Sequence, residues 1–265
     1  MYPILIKIGS FTIHTYGVLH ALSFIAGYII ARIEAKKAGI DQQHIGTLLF
    51  HIIIWSIIGS RIFSVIFDGN LNWYLKNPHE IFMIWKGGLT YYGGFIFSIF
   101  VVLWYIRKYK LPGWELTDTL VIGLPLAIAI ARLGCLASGD SYGKPTALPW
   151  AITFTDPHAM APVGIPLHPA QLYSFLTNIL IFGVMWIWKG RKRFSGELFF
   201  IFLILYGITR SLVEIFRDDP RGVYFGGFIS TSQIISLIIV IFAIILLIKK
   251  NPGSMKLMNN PDQHI

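Results

Sequence analysis

A chain of 265 residues that is 55% hydrophobic and 13% charged carries about half the ~25% charge of a soluble domain, which points to a membrane protein. Its single cysteine excludes an intramolecular disulfide framework and any multi-cysteine zinc site. The net charge of +9 would suit nucleic acid, but basic residues also collect in the cytoplasmic loops of membrane proteins, so their placement decides.

Seven stretches of about 20 residues, the length a bilayer core requires, are predicted as membrane helices: 13–32, 46–67, 88–106, 116–136, 171–188, 197–216 and 229–248. The first has no basic n-region and no A-x-A cleavage site, so it reads as a retained helix rather than a signal peptide. Arg32, Lys36 and Lys37 follow it, and Arg107, Lys108 and Lys110 follow the third stretch. Lys189, Arg191, Lys192 and Arg193 follow the fifth, and Lys249, Lys250 and Lys256 follow the seventh. The alternate connections hold far fewer. By the positive-inside rule the N-terminus is outside and the C-terminus cytoplasmic, which accounts for the net charge without nucleic acid. The one long connection, 137–170, is rich in Pro and Gly, and loops of that length are often functional. The expected fold is an all-α integral membrane protein of about seven transmembrane helices. It has a single polytopic domain over 1–250, with 137–170 at the outer face, and a polar, disordered cytoplasmic tail over 251–265.

Three arginines remain inside the apolar stretches: Arg61, Arg132 and Arg210, on the second, fourth and sixth. In this topology all three lie near the outer ends of their helices. An arginine at the centre of a membrane helix costs about 2.5 kcal/mol or more, so such residues usually face a cavity and mark function. The bland alternative is snorkelling, with the stem in lipid and the head among phosphates. The planar fork of arginine suits a phosphate, and a phospholipid head group is the anion at that depth. Tyr206, Arg210 and Glu214 in YGITRSLVE are spaced i, i+4, i+8 and share one helical face. Glu214 either completes a polar site there or simply neutralises Arg210. Asp118 is about 21 Å from Arg132 along the helix at 1.5 Å per residue, and reads as stabilising the helix dipole. GGLTYYGGF sets Gly87, Gly88, Gly93 and Gly94 around Tyr91 and Tyr92. The glycines serve close helix packing or leave room for a lipid head group.

These residues resemble one family. ARLGCLASGDSYG, from Ala131 to Gly143, is similar to the signature G-R-x-G-N-F-x-N-x-E-x-x-G of prolipoprotein diacylglyceryl transferases, bacterial membrane enzymes. HTYGV, GSR ending at Arg61, GKPTALPWAITFTDP, HPAQLY and YGITRSLVEIFR follow in family order along nearly the whole chain. The resemblance implies transfer of the diacylglyceryl group of phosphatidylglycerol to the lipobox cysteine of a prolipoprotein signal peptide, with glycerol phosphate released. It implies that Arg132 and Arg210 hold the phosphate, and that Tyr16, Arg61, Gly143, His168, Tyr206 and Glu214 belong to the site. It implies a multi-pass protein of the bacterial plasma (inner) membrane, in contact with membrane lipid, with its active site toward the outer face. No cofactor, metal or nucleic acid is expected.

This chain departs from the family pattern at residues that bear on the chemistry. Cys135 stands where the family has asparagine, Asp140 where it has glutamate, and Tyr92 where many members place a histidine favoured as the base. A free phenol, with its reference pKa near 10, is a poor base at neutral pH. The base is therefore Tyr92 ionised by nearby arginines, a carboxylate such as Asp140 or Glu214, or no group at all. Cys135 reads as a small, weakly polar stand-in, because the reacting thiol belongs to the substrate. A transporter or flippase for an anionic lipid or metabolite would also turn arginines toward a cavity, but no inverted repeat or pair of broken helices supports it. The eight histidines form no metal-ligand spacing such as HExxH, and His44 and His51 read as ordinary helix residues.

Overall fold

The period-two alternation of ILIKIGSFTIH makes a hairpin ahead of the first long helix, an element the span-by-span reading passes over. Strands β1 (Ile4–Ile8) and β2 (Phe11–His14) pair antiparallel, with Ile4 opposite His14 and Ile8 opposite Phe11. Gly9 supplies the positive φ of 60° at the turn. The computed structural model describes residues 3–9, 11–69, 71–218, 223–224 and 229–251. The predicted tail beyond Asn251 lies outside these residues.

The protein is mostly helical, and each of the seven predicted stretches is a helix. These are α1 (Thr15–Lys37), α2 (Gln42–Phe67), α4 (Tyr91–Tyr109), α5 (Gly113–Ser138), α6 (Ala170–Trp188), α7 (Glu197–Glu214) and α8 (Thr231–Lys250). A short α3 (Leu71–Lys76) and two 3-10 turns, Pro78–Phe82 and Ile84–Lys86, lie between α2 and α4. Two further hairpins are β3 (Ile152–Thr153) with β4 (Pro166–Leu167), and β5 (Val223–Tyr224) with β6 (Ile229–Ser230). Among the described residues, five helices are long and apolar enough to cross a membrane: Thr15–Lys37, Gln42–Phe67, Gly113–Ser138, Ala170–Arg191 and Thr231–Lys250. The two long helices outside that set are α4 and α7. α4 ends in Arg107 and Lys108, and α7 contains Glu197, Arg210 and Glu214.

The chain forms two units, Met1–Ala31 with Thr117–Ile265, and Arg32–Leu116. In the first, α1 and α5 approach at two glycines. A Cβ on Gly123 would lie 2.9 Å from the Gly27 carbonyl oxygen, and one on Gly27 would lie 3.2 Å from Ala127 Cβ. α7 packs on both α6 and α8, and Gly207 leaves room for Val240 and Ser236. Val121, Ile122, Ile181, Met185, Leu198 and Phe202 form a buried cluster among α5, α6 and α7. At that end Asp118 is buried, and its carboxylate accepts from the N–H groups of Gly196 (2.7 Å) and Phe199 (3.0 Å), with Lys192 Nζ at 3.3 Å. It therefore caps α7, rather than serving the dipole of its own helix, and holds two helices in register.

The second unit is built on α2 against α4. Asp41 caps α2 by accepting from Gln43 N–H at 2.9 Å. A Cβ on Gly93 would lie 2.6 Å from Phe63 Cβ, and one on Gly94 would lie 2.5 Å from Ser60 Oγ. This glycine pair is used for close helix packing. Further along, His44 Nδ1 meets the buried Tyr105 hydroxyl at 3.0 Å.

Candidate active site

The signature stretch starts on α5 and continues into a strained turn. On the helix, Gly134 lets α1 come close: a Cβ there would lie 3.2 Å from His20 Nδ1 and 3.3 Å from the Tyr16 carbonyl oxygen. That approach sets the first turns of α1 beside Arg132 and Cys135. Tyr16 stacks on His20 at 3.9 Å between ring centroids, and both interact electrostatically with Arg132 and Asp140. Beyond the helix, Gly139 (φ 75°) and Ser141 (φ 61°) flank Asp140 with left-handed backbone. A serine held there stores about 1 kcal/mol or more, which the surrounding bonds must offset. Gln171 Nε2 donates to the Asp140 carbonyl at 2.7 Å, and the Asp140 carboxylate hydrogen-bonds the buried Cys135 thiol.

α7 adds its polar face. The Tyr206 hydroxyl is the side-chain partner of Arg132. One turn on, Arg210 is paired with Glu214, whose carboxylate also accepts from Ser230 and Ser232 at the start of α8. Ser230 closes a capping box with Gln233, so this contact also fixes where α8 begins. Glu214 is thus held on three sides. Arg132 has no carboxylate within ion-pair distance among the described residues, and its planar fork keeps donors for an anion.

The connection 139–168 has its own small core of Phe154, Ala161 and Leu167. It lays residues 142–145 between 166–168 and 216–218. Lys144 N–H donates to Phe216 O (2.8 Å), His168 N–H to Lys144 O (2.9 Å) and Asp218 N–H to Tyr142 O (3.2 Å). Gly143 sits at the crossing, bridged to Arg217, where a Cβ would collide with the His168 and Phe216 backbones. The His168 ring packs on Phe216 at 5.1 Å, and its Nδ1 meets the Tyr173 hydroxyl at 3.2 Å. Trp150 Nε1 donates to that same hydroxyl at 2.8 Å. In this connection the His158 backbone N–H (2.8 Å) and ring (3.0 Å) hold the partly exposed Asp156 carboxylate below the usual range.

The first unit therefore gathers Tyr16, Arg132, Asp140 and Tyr206 into one interacting group. Arg210 and Glu214 follow Tyr206 along α7, while Gly143 and His168 build the adjoining backbone crossing. Arg61 and Tyr92 belong to the second unit. The Arg61 guanidinium is buried and donates to four backbone carbonyls: Ile81 (2.9 Å), Gly87 (2.7 Å), Gly88 (2.9 Å) and Glu80 (2.6 Å). The Tyr74 ring covers it at 5.2 Å. Its geometry is that of a clamp on the 80–88 loop, made possible by the positive φ of Gly87 (89°) and Gly88 (72°). Tyr92 is exposed on the first turn of α4. Two neighbours of the candidate site escape sequence reasoning. Arg217 is buried and acts electrostatically on Cys135; its only signal is that it follows the α7 motif in YGITRSLVEIFR. His20 interacts with Arg132 and Asp140, and its signal is the i+4 spacing from Tyr16.

The chain is similar to named proteins over most of its length. A phosphatidylglycerol–prolipoprotein diacylglyceryl transferase of Solidesulfovibrio magneticus is 30% identical over 255 residues, covering 94% of this chain and 95% of the relative. Proteins of the same name from Bordetella avium (32% over 241 residues, 89% of each chain) and Geobacter sulfurreducens (32% over 239 residues, 88% of this chain and 89% of the relative) agree. The family model described as prolipoprotein diacylglyceryl transferase matches residues 3–249. With its apolar helices, the chain is a membrane protein and belongs to the prolipoprotein diacylglyceryl transferase family.

Proposed function

We propose that this protein moves the diacylglyceryl group of phosphatidylglycerol onto the lipobox cysteine thiol of a prolipoprotein, releasing glycerol phosphate, the first step of bacterial lipoprotein maturation. The observation that carries the site assignment is Arg132, an arginine in an apolar helix whose fork, among the described residues, meets the Tyr206 hydroxyl and is in no ion pair. Arg132 and Arg210 hold the lipid phosphate. As the substrate thiolate attacks the glycerol carbon bonded to the ester oxygen, that C–O bond breaks and charge builds on the departing phosphate. Preorganised guanidinium groups in a water-poor site stabilise that charge without reorganising. Tyr206 orients Arg132, Glu214 orients Arg210, and Tyr16 and His168 line the approach. Gly143 keeps the crossing tight enough to hold the turn bearing Asp140.

The same reading places the protein in the plasma (inner) membrane, with α4 and α7 completing seven spans. The N-terminus and the 139–168 connection face outward, and the C-terminus is cytoplasmic. Basic residues at the ends of α1, α4 and α8, and in the turn after α6, support that orientation. A secreted precursor would present its thiol on that outer side. Purified protein incubated with phosphatidylglycerol and a lipobox peptide should add one diacylglyceryl mass to the peptide and release glycerol phosphate. A peptide of unchanged mass would sink the proposal.

A further inference from the structure

The reaction requires the thiol to lose a proton, and an alkyl thiol with a reference pKa near 8.5 is mostly protonated at neutral pH. The carboxylates of the site are otherwise engaged. Glu214 is held by Arg210, Ser230 and Ser232, and Asp140 is bonded to Cys135. We propose that His20 is the general base, taking the proton of the incoming lipobox thiol on Nε2. The inference rests on the placement of the phosphate beside Arg132.

The tautomer follows from a single contact. His20 Nδ1 lies 3.0 Å from the Tyr16 carbonyl oxygen, which can only accept, so the ring proton sits on Nδ1 and Nε2 carries the lone pair. Among the described residues the ring's only hydrogen bond is this one at Nδ1. The ring is half-buried, stacked on Tyr16 with 28° between planes, and backed by Gly134, where any Cβ would lie 3.2 Å from Nδ1. A fixed ring with a bare basic nitrogen is the arrangement that proton abstraction needs. The charged and titratable groups facing it are Tyr16 on its own helix, Arg132 on α5 and Asp140 in the turn beyond. Asp140 balances the imidazolium that forms.

In the step, the S–H bond breaks and its proton goes to Nε2. The sulfur lone pair forms the C–S bond, and the C–O pair leaves on the glycerol phosphate. The imidazolium then returns the proton to that phosphate, now a monoester, so charge and atoms balance and no other reactant is required.

The test compares two lipobox peptides, one with cysteine and one with selenocysteine, whose selenol is already ionised at neutral pH. With phosphatidylglycerol as donor, His20→Gln should lower kcat for the cysteine peptide by about a hundredfold or more, with both KM values within about threefold of wild type. The same variant should turn over the selenocysteine peptide within about fivefold of wild type, because no proton has to be removed. Equal losses with both peptides would make His20 a packing residue, and an unchanged cysteine rate would remove it from the reaction; either overturns the proposal. The wild-type protein gives a second check that needs no substitution. Its cysteine-peptide rate should rise with pH below the thiol's own reference pKa of about 8.5, and its selenocysteine-peptide rate should not. A flat cysteine profile below that pH overturns the proposal as well. The phosphate reading fails separately, on an Arg132→Gln variant of unchanged turnover, since the ratio between the two peptides is read independently of it.

Discussion

Gly143 offers a sharp test of how the connection supports the site. A methyl group at this position would stand 2.7 Å from His168 Cβ and 2.8 Å from the Phe216 carbonyl oxygen, and would collide with the His168 carbonyl as well. Two of the three contacts are backbone, so no flexible side chain can swing away. The flanking segments must retreat toward the 3.4 Å of ordinary contact. Overpacking of this kind costs about 1–3 kcal/mol. The movement also stretches the bonds from Lys144 to Phe216 and from His168 to Lys144, each contributing about 1 kcal/mol. Gly143→Ala should therefore lower the thermal midpoint in detergent by roughly 4–10 °C. The displaced segments carry His168 and the bridge to Arg217, and a misplacement approaching 1 Å costs about a hundredfold in rate. Transfer to a lipobox peptide, followed by mass spectrometry at a temperature where the variant stays folded, should be slowed about tenfold to a hundredfold. A variant with wild-type midpoint and wild-type turnover would refute the crossing as the reason for glycine here.

Arg61→Gln leaves at least two of four carbonyls without a donor, about 1–3 kcal/mol each, so the thermal midpoint should fall by roughly 5 °C or more. A raised KM for phosphatidylglycerol at unchanged stability would instead return Arg61 to the lipid phosphate. Cys135→Ser should keep turnover within about threefold of wild type, since the reacting thiol is the substrate's; a diacylglyceryl adduct trapped on Cys135 would reverse that assignment. Tyr92→Phe should also stay within about threefold if the proton goes to His20, whereas a hundredfold loss rescued by Tyr92→His would restore the phenol as base.

The helices were legible because a membrane helix is written as a run of apolar residues: all seven stretches are helical, with ends displaced by a few residues. Roles that depend on long-range packing were not. Arg61, Arg132 and Arg210 look alike in the sequence, each an arginine in a greasy run. Only folding separates one clamped on four carbonyls, one paired with Glu214, and one with its fork turned to Tyr206. Asp118 has the local look of a residue serving its own helix, yet the amides it caps are those of Gly196 and Phe199, far along the chain. The GGLTYYGGF glycines divide in two: Gly93 and Gly94 close α4 on α2, while Gly87 and Gly88 turn their carbonyls to Arg61. His20 carried almost no signal, because a lone histidine on an apolar helix reads as filler until Gly134 brings α5 against it.

The central claim is that arginines of the apolar interior stabilise a departing phosphate, and it is tested most directly on Arg132. The measurement is kcat and KM for diacylglyceryl transfer from phosphatidylglycerol to a lipobox peptide by wild type, Arg132→Gln and Arg132→Lys, with Arg210→Gln alongside. If the guanidinium acts on charge that appears only in the transition state, Arg132→Gln and Arg210→Gln should each lower kcat by about 10²–10³, with a much smaller change in KM for the lipid. Arg132→Lys should recover only part of the loss, because a point charge cannot reproduce the two parallel hydrogen bonds of the fork. Wild-type kcat in both glutamine variants would contradict the account.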